Sequence, residues 1–138
     1  MTKEFVPYEL AVKLKELGFD KPCFGYYLCK NSAFGVRLEI TTNWIDLLPY
    51  DSSSCKAPLY QQAFRWFREK HNLRGFIGFR PNVKQFDYHI YDMSLSAKEY
   101  AKQRTLEEFN KDPKVGTYEE AELGCLEKLI EIVEQTKN

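Results

Sequence analysis

The chain of 138 residues has the length of one ordinary domain, enough to remove roughly two-thirds of its unfolded surface from water without disulfides or metals. Apolar residues at 43% and aromatics at 15% exclude a largely disordered segment, and 29% of charged residues provide a wet exterior. Lys plus Arg equals Asp plus Glu at 20 each, so no global field draws the molecule toward nucleic acid or an anionic membrane.

Met1 to Phe5 lacks a basic start followed by an apolar run, and no stretch approaches the ~20 apolar residues of a membrane span. A cytoplasmic protein without a membrane segment is therefore expected. Pro7 suits the first helical position, where its missing N–H would lack a partner anyway, and Val6, Leu10, Leu14 and Leu17 line one stripe. The spacing predicts a helix from about Pro7 to Leu17, with Gly18 in a left-handed cap and Phe19 folded back on the last turn.

After Lys21 and Pro22 the period changes to two. Phe24, Tyr26 and Leu28 alternate with Cys23, Gly25, Tyr27 and Cys29, and Phe34, Val36, Leu38 and Ile40 alternate with Gly35, Arg37 and Glu39. These two runs read as a hairpin. Thr41 to Ala57 reads as an irregular surface loop, pinned by Trp44, Leu47 and Leu48.

Pro58 opens a second predicted helix to about His71, with Gln61, Arg65, Arg68 and Asn72 on a wet face and Leu59, Ala63, Phe64, Trp66 and Phe67 opposite. Gly75 to Arg80 and Phe86 to Met93 then read as a second hairpin around a five-residue loop, Pro81 to Gln85. Ser96 and Glu99 have capping-box spacing for a weak helix toward Phe109, ended by Asp112 and Pro113. Thr117 with Glu120 is a better capping box, and Tyr118, Ala121, Cys125, Leu126, Leu129, Ile132 and Val133 form one face of a terminal helix to about Gln135.

The order α-β-β-α-β-β-(α)-α predicts a single α+β domain over residues 1–138, a two-layer sandwich with helices packed on one face of an antiparallel sheet built from two hairpins. Cys23, Cys29, Cys55 and Cys125 have no CxxC spacing, so idle buried thiols are expected rather than a disulfide scaffold or a metal knuckle, and no cofactor motif is present.

The segments FVPYELAVKLKELGFDKPCFGYY (Phe5 to Tyr27), APLYQQAFRWFREKHNL (Ala57 to Leu73) and TYEEAELGCLEKLIEIVEQ (Thr117 to Gln135) cover somewhat under half of the chain. They resemble a family of short hypothetical proteins of gut Bacteroidetes and their phages or prophages. The resemblance implies an accessory protein of a mobile element, and carries no activity, catalytic motif or cofactor with it.

The neutral total hides two opposed patches. Arg65, Arg68, Lys70, Arg74, Arg80 and Lys84 face only Glu69 in residues 65–84, a net of +5, while residues 117–134 carry Glu119, Glu120, Glu122, Glu127, Glu131 and Glu134 against Lys128, a net of −5. Arg65, Arg68, Arg74, Arg80 and Lys84 could track a phosphate backbone, with Phe76, Phe79 and Phe86 stacking bases. The competing reading is a solvated face, or a patch paired with the acidic terminal helix; zero net charge and the lack of a nucleic-acid motif favour it.

Asp87 and His89, two apart on a strand, project to one side and could form a carboxylate-oriented general base with Tyr91 nearby, although no nucleophile or metal-ligand spacing accompanies them. A hydrogen-bonded polar strand face explains the same pair. Among the large amphipathic rings Tyr26, Trp44, Tyr60, Trp66 and Tyr118, most sit at core spacings, and Trp44 beside Leu47 and Leu48 is the candidate interaction anchor. A non-enzymatic binding or regulatory module is thus the leading expectation, with nucleic acid, a protein partner or a second copy as its ligand, and a small enzyme around Asp87 and His89 as the competitor.

Overall fold

A computed structural model describes residues 2–28, 35–45, 54–99 and 116–137. The protein is α+β, with antiparallel strands throughout. It divides into two compact units, residues 1–63 with 137–138, and residues 64–136. The strands accordingly form two separate sheets, one of three strands and one of two.

In the first unit a 3-10 turn, Thr2–Glu4, precedes helix α1, Tyr8–Glu16. Pro7 occupies the N-cap rather than the first helical position. At the other end Gly18 takes φ +101°, its N–H donates to Lys15 O at 3.0 Å, and the Phe19 N–H donates to Leu14 O at 2.9 Å. That pair of bonds is a Schellman closure, and it folds the buried Phe19 ring back onto the helix as the sequence predicts.

Strand β1, Cys23–Leu28, is the centre of the three-stranded sheet, between β2, Arg37–Ile45, and β3, Ser54–Lys56. The stretch read as a loop holds the end of β2 and all of β3. Thr41–Ile45 continues β2 past an irregularity in register, where Cys23 pairs with Ile45 but Gly25 with Ile40, and the Thr41 hydroxyl turns back to the Phe24 carbonyl at 2.9 Å. Ser54–Lys56 pairs with the other edge of β1, so the first hairpin gains a third strand. The remainder of that stretch, 46–53, lies outside the described residues, as do the turn 29–34 and Cys29.

The buried side of β1 is Cys23, Gly25 and Tyr27. Tyr27 donates its hydroxyl to Val6 O at 2.6 Å and meets the Tyr8 ring edge-on, which ties the start of α1 to the sheet. The first turn of helix α2, Tyr60–His71, belongs to the same unit: the Gln62 side chain accepts the Leu59 N–H and donates to Pro22 O, both at 2.9 Å. It satisfies an early helix donor and anchors the entry to β1 with one side chain.

In the second unit α2 continues to His71 with Phe64, Trp66 and Phe67 buried and Arg65, Arg68 and Glu69 exposed. Asn72, at φ 56°, ends it in the left-handed region that asparagine tolerates. Strands β4, Leu73–Arg80, and β5, Gln85–Asp92, form an unbroken antiparallel hairpin. Gln85 pairs with Arg80, so the loop is four residues, Pro81 to Lys84, one fewer than predicted. Lys84 at φ 53° makes the reversal.

Helix α3, Tyr118–Lys137, is capped by Thr117, whose hydroxyl accepts the Glu120 N–H at 3.1 Å. Ala121, Cys125, Leu126, Leu129, Ile130 and Val133 are fully buried along it, the larger side chains each contributing about 2 kcal/mol relative to exposure. Ile130 replaces the predicted Ile132, which is half-buried, as the deeper member of that stripe. Ser96 and Glu99 do exchange capping-box bonds, and residues 100–115, where the weak helix toward Phe109 was expected, lie outside the described residues.

The hairpin meets α3 at Gly75. A Cβ there would stand 2.7 Å from Cys125 Sγ and 3.0 Å from Leu129 Cδ1. We expect Gly75→Ala to lower stability by about 1–3 kcal/mol through overpacking, with part of that loss recovered in Gly75→Ala/Cys125→Ala, as read from urea midpoints. Burial also pushes the thiols of Cys23 and Cys125 up to about 12, and raises the hydroxyls of Tyr27 and Tyr88. Unfolded thiols titrate near 8.5, so the unfolded chain sheds protons first. Stability should hold from neutral pH to about pH 8.5 and then decline steadily toward pH 12, while iodoacetamide at pH 8 should label Cys23 and Cys125 only after denaturation.

Candidate functional site

Pairing opposite residues across β4 and β5 fixes which side chains share a face. Gly75 opposes Ile90, Ile77 opposes Tyr88 and Phe79 opposes Phe86, and this is the face that meets α3. Arg74 opposes Tyr91, Phe76 opposes His89, Gly78 opposes Asp87 and Arg80 opposes Gln85 on the other face, termed here the outer face. Every second residue of the hairpin therefore leaves the apolar layer, and the ones that do so carry the chemistry.

Phe76 organises the outer face. His89 stacks on it with ring centroids 5.1 Å apart and planes 24° apart, and Tyr91 stacks on it at 5.3 Å and 12°. The Arg74 guanidinium carbon lies 5.6 Å from the Phe76 centroid, within cation–π range. A column of three near-parallel rings with a guanidinium beside it results. Phe76, His89 and Tyr91 are all partly exposed.

Beyond His89 the face turns polar. Asp87 is 5% exposed, an unusual degree of burial for a carboxylate. Its Oδ2 accepts from Arg80 Nε at 2.9 Å, and its Oδ1 lies 3.2 Å from His89 Nε2 at ion-pair distance but without hydrogen-bond geometry. Room for this cluster comes from Gly78. A Cβ at position 78 would stand 2.6 Å from Asp87 Oδ1 and 3.1 Å from His89 Nε2, so the carboxylate and the imidazole occupy the space a side chain would have filled.

The basic residues singled out in the sequence separate into different settings. Arg74 and Arg80 belong to the outer face, and Lys84 is exposed in the hairpin turn. Arg65 and Arg68 lie on α2, where Arg65 is paired with Glu69 one turn on, which raises its pKa. Arg80 pairs with Asp87 within the hairpin, and Lys128 with Glu131 within the acidic helix. Of the three rings considered for base stacking, Phe76 is on the outer face, whereas Phe79 and Phe86 pack on each other on the opposite face, with Tyr118 against Phe86. Trp44 falls within β2, and its side chain lies outside the described residues.

Gly78 and the ring column were not singled out in the sequence. A glycine inside an alternating strand was the available signal for close approach, and the odd spacing of Phe76 and Phe79 already placed them on opposite faces. Among the described residues no group of three His, Cys, Asp or Glu could hold a metal ion, and no helix is long and apolar enough to cross a membrane. The described cysteines Cys23, Cys55 and Cys125 are buried and joined in no disulfide.

Comparison of the chain with protein-family models, with curated proteins and with solved structures yields no match. The outer face must therefore be interpreted from its own geometry.

The Asp87 cluster gives a stability test. Gly78→Ala should displace both the carboxylate and the imidazole and cost about 1–3 kcal/mol, and the His89 ring resonances should move with it; unchanged His89 resonances in a folded variant would contradict the close approach.

Proposed function

We propose that this protein is a small binding module that takes single-stranded nucleic acid along the outer face of the β4–β5 hairpin. The observation that carries the reading is the column of Tyr91, Phe76 and His89 with Arg74 beside it. Aromatic rings with arginines on one strand face are the combination single strands need, because every base has a face to stack and every linkage a phosphate to neutralise. Bases would extend the column at its ends, since the Phe76 ring already stacks with both neighbours. Service to a mobile element is part of the proposal on the sequence resemblance alone.

The competing reading is a small enzyme with Asp87 orienting His89 as general base, and the 3.2 Å contact favours it. Their cross-strand neighbours are Gly78 and Phe76, which supply no nucleophile. Binding is the simpler use of a face that also carries Phe76, Tyr91, Arg74 and Arg80.

Fluorescence anisotropy with labelled single-stranded DNA and RNA tests the proposal. Association should weaken as salt rises, and Phe76→Ala should weaken it about tenfold by removing the ring both stacks share. Arg74→Ala should reduce the salt slope by about 1, while Arg65→Ala with Arg68→Ala should leave affinity within about twofold. Absence of salt-sensitive binding to any oligonucleotide, or equal binding by a folded Phe76→Ala variant, overturns it.

A further inference from the structure

We infer that Arg80 and His89, held in place by Asp87, form a phosphate-binding subsite at the polar end of the ring column. The inference rests on the outer face being a binding surface, and adds the chemistry of one ligand group. Three observations support it: a carboxylate buried under the strand face, a side-chain nitrogen beside each of its two oxygens, and a glycine that makes space for the arrangement.

A carboxylate that is 5% exposed and has one oxygen without a hydrogen bond is costly to bury. If its task were only to lock the hairpin, an apolar cross-strand pair would do so at lower cost. What Asp87 achieves instead is to engage one N–H of Arg80 and one edge of His89 while leaving most of their donor capacity unused. Arg80 has five N–H groups, of which the Nε–H meets Asp87, so both terminal nitrogens stay available for a further acceptor. His89 turns Nε2 toward the carboxylate, and in its protonated form it has Nδ1–H to donate to another acceptor.

Both side chains remain about 40% exposed, at 38% for Arg80 and 40% for His89. They bracket a single carboxylate, Arg80 Nε 2.9 Å from Oδ2 and His89 Nε2 3.2 Å from Oδ1. A planar guanidinium fork beside an imidazole fits a tetrahedral oxyanion, since several oxygens can accept at once. On a nucleic-acid strand that oxyanion is the phosphate that follows a base stacked against His89.

The experiment follows the imidazole nitrogens by NMR as inorganic phosphate is added, with sodium chloride at matched ionic strength as the control. The chain has two histidines, and His71, at the end of α2, serves as internal reference. Expected are saturable shifts of His89 beyond those in chloride, with His71 unmoved. Arg80→Lys keeps the charge but loses the fork, and should weaken phosphate binding about fivefold. Asp87→Asn should also weaken it although it removes a negative charge, because the anion that holds both side chains in place is lost; tighter binding in this variant would show that Asp87 positions nothing.

His89→Gln, read by the oligonucleotide assay, covers the case in which another variant misfolds, and should weaken binding there. The two arms separate the claims. Phosphate shifts at His89 without oligonucleotide binding would uphold the subsite and remove the nucleic-acid reading. Salt-sensitive oligonucleotide binding with His89 unmoved by phosphate, and with affinity unchanged in Arg80→Lys, would remove the subsite and leave that reading standing.

Discussion

The close approach of α3 to the hairpin at Gly75 is the constraint from which the second unit follows. A helix can bring Cys125 and Leu129 against a strand only where that strand lacks a side chain, and Gly75 supplies the place. Once one face of the hairpin is committed to α3, strand alternation commits the other to whatever lies at the intervening positions. Those positions are Arg74, Phe76, Gly78 and Arg80 on one strand and Gln85, Asp87, His89 and Tyr91 on its partner. The candidate face is thus the reverse side of a packing requirement.

The two glycines of β4 do complementary work. Gly75 admits a neighbouring helix from one side, and Gly78 admits a carboxylate and an imidazole from the other. Their odd separation in sequence is what directs them to opposite faces. Either would weaken an isolated strand, since glycine loses most backbone freedom on ordering. Here the weakening is offset on one side by the buried stripe of α3 and on the other by the Arg80–Asp87 pair and the stacked rings.

Much of the local structure was legible because it is encoded within a few residues. The 3.6-residue stripe of α1 with Gly18 behind it, the Thr117 cap of α3 and the alternation in β4 and β5 are all short-range signals. The third strand, Ser54–Lys56, was not legible, since three residues cannot establish a period and its partner, β1, is over twenty-five positions away. Nor could a pattern of alternation show that the two hairpins belong to separate sheets, as each only demands cover for its apolar side. In the site, the shared side of Asp87 and His89 followed from their spacing, but the opposition of Asp87 to Gly78 depended on a register that a loop one residue longer would have shifted.

One small feature bears on how copies of the molecule behave in company. Gly116 donates to and accepts from the backbone of Phe86, at 3.1 and 2.9 Å, and so forms a single rung on the outer edge of β5. Exposed strand edges are templates on which other chains polymerise. By occupying both bonding groups of Phe86, this rung interrupts the edge near its start and deprives an incoming strand of a continuous ladder there.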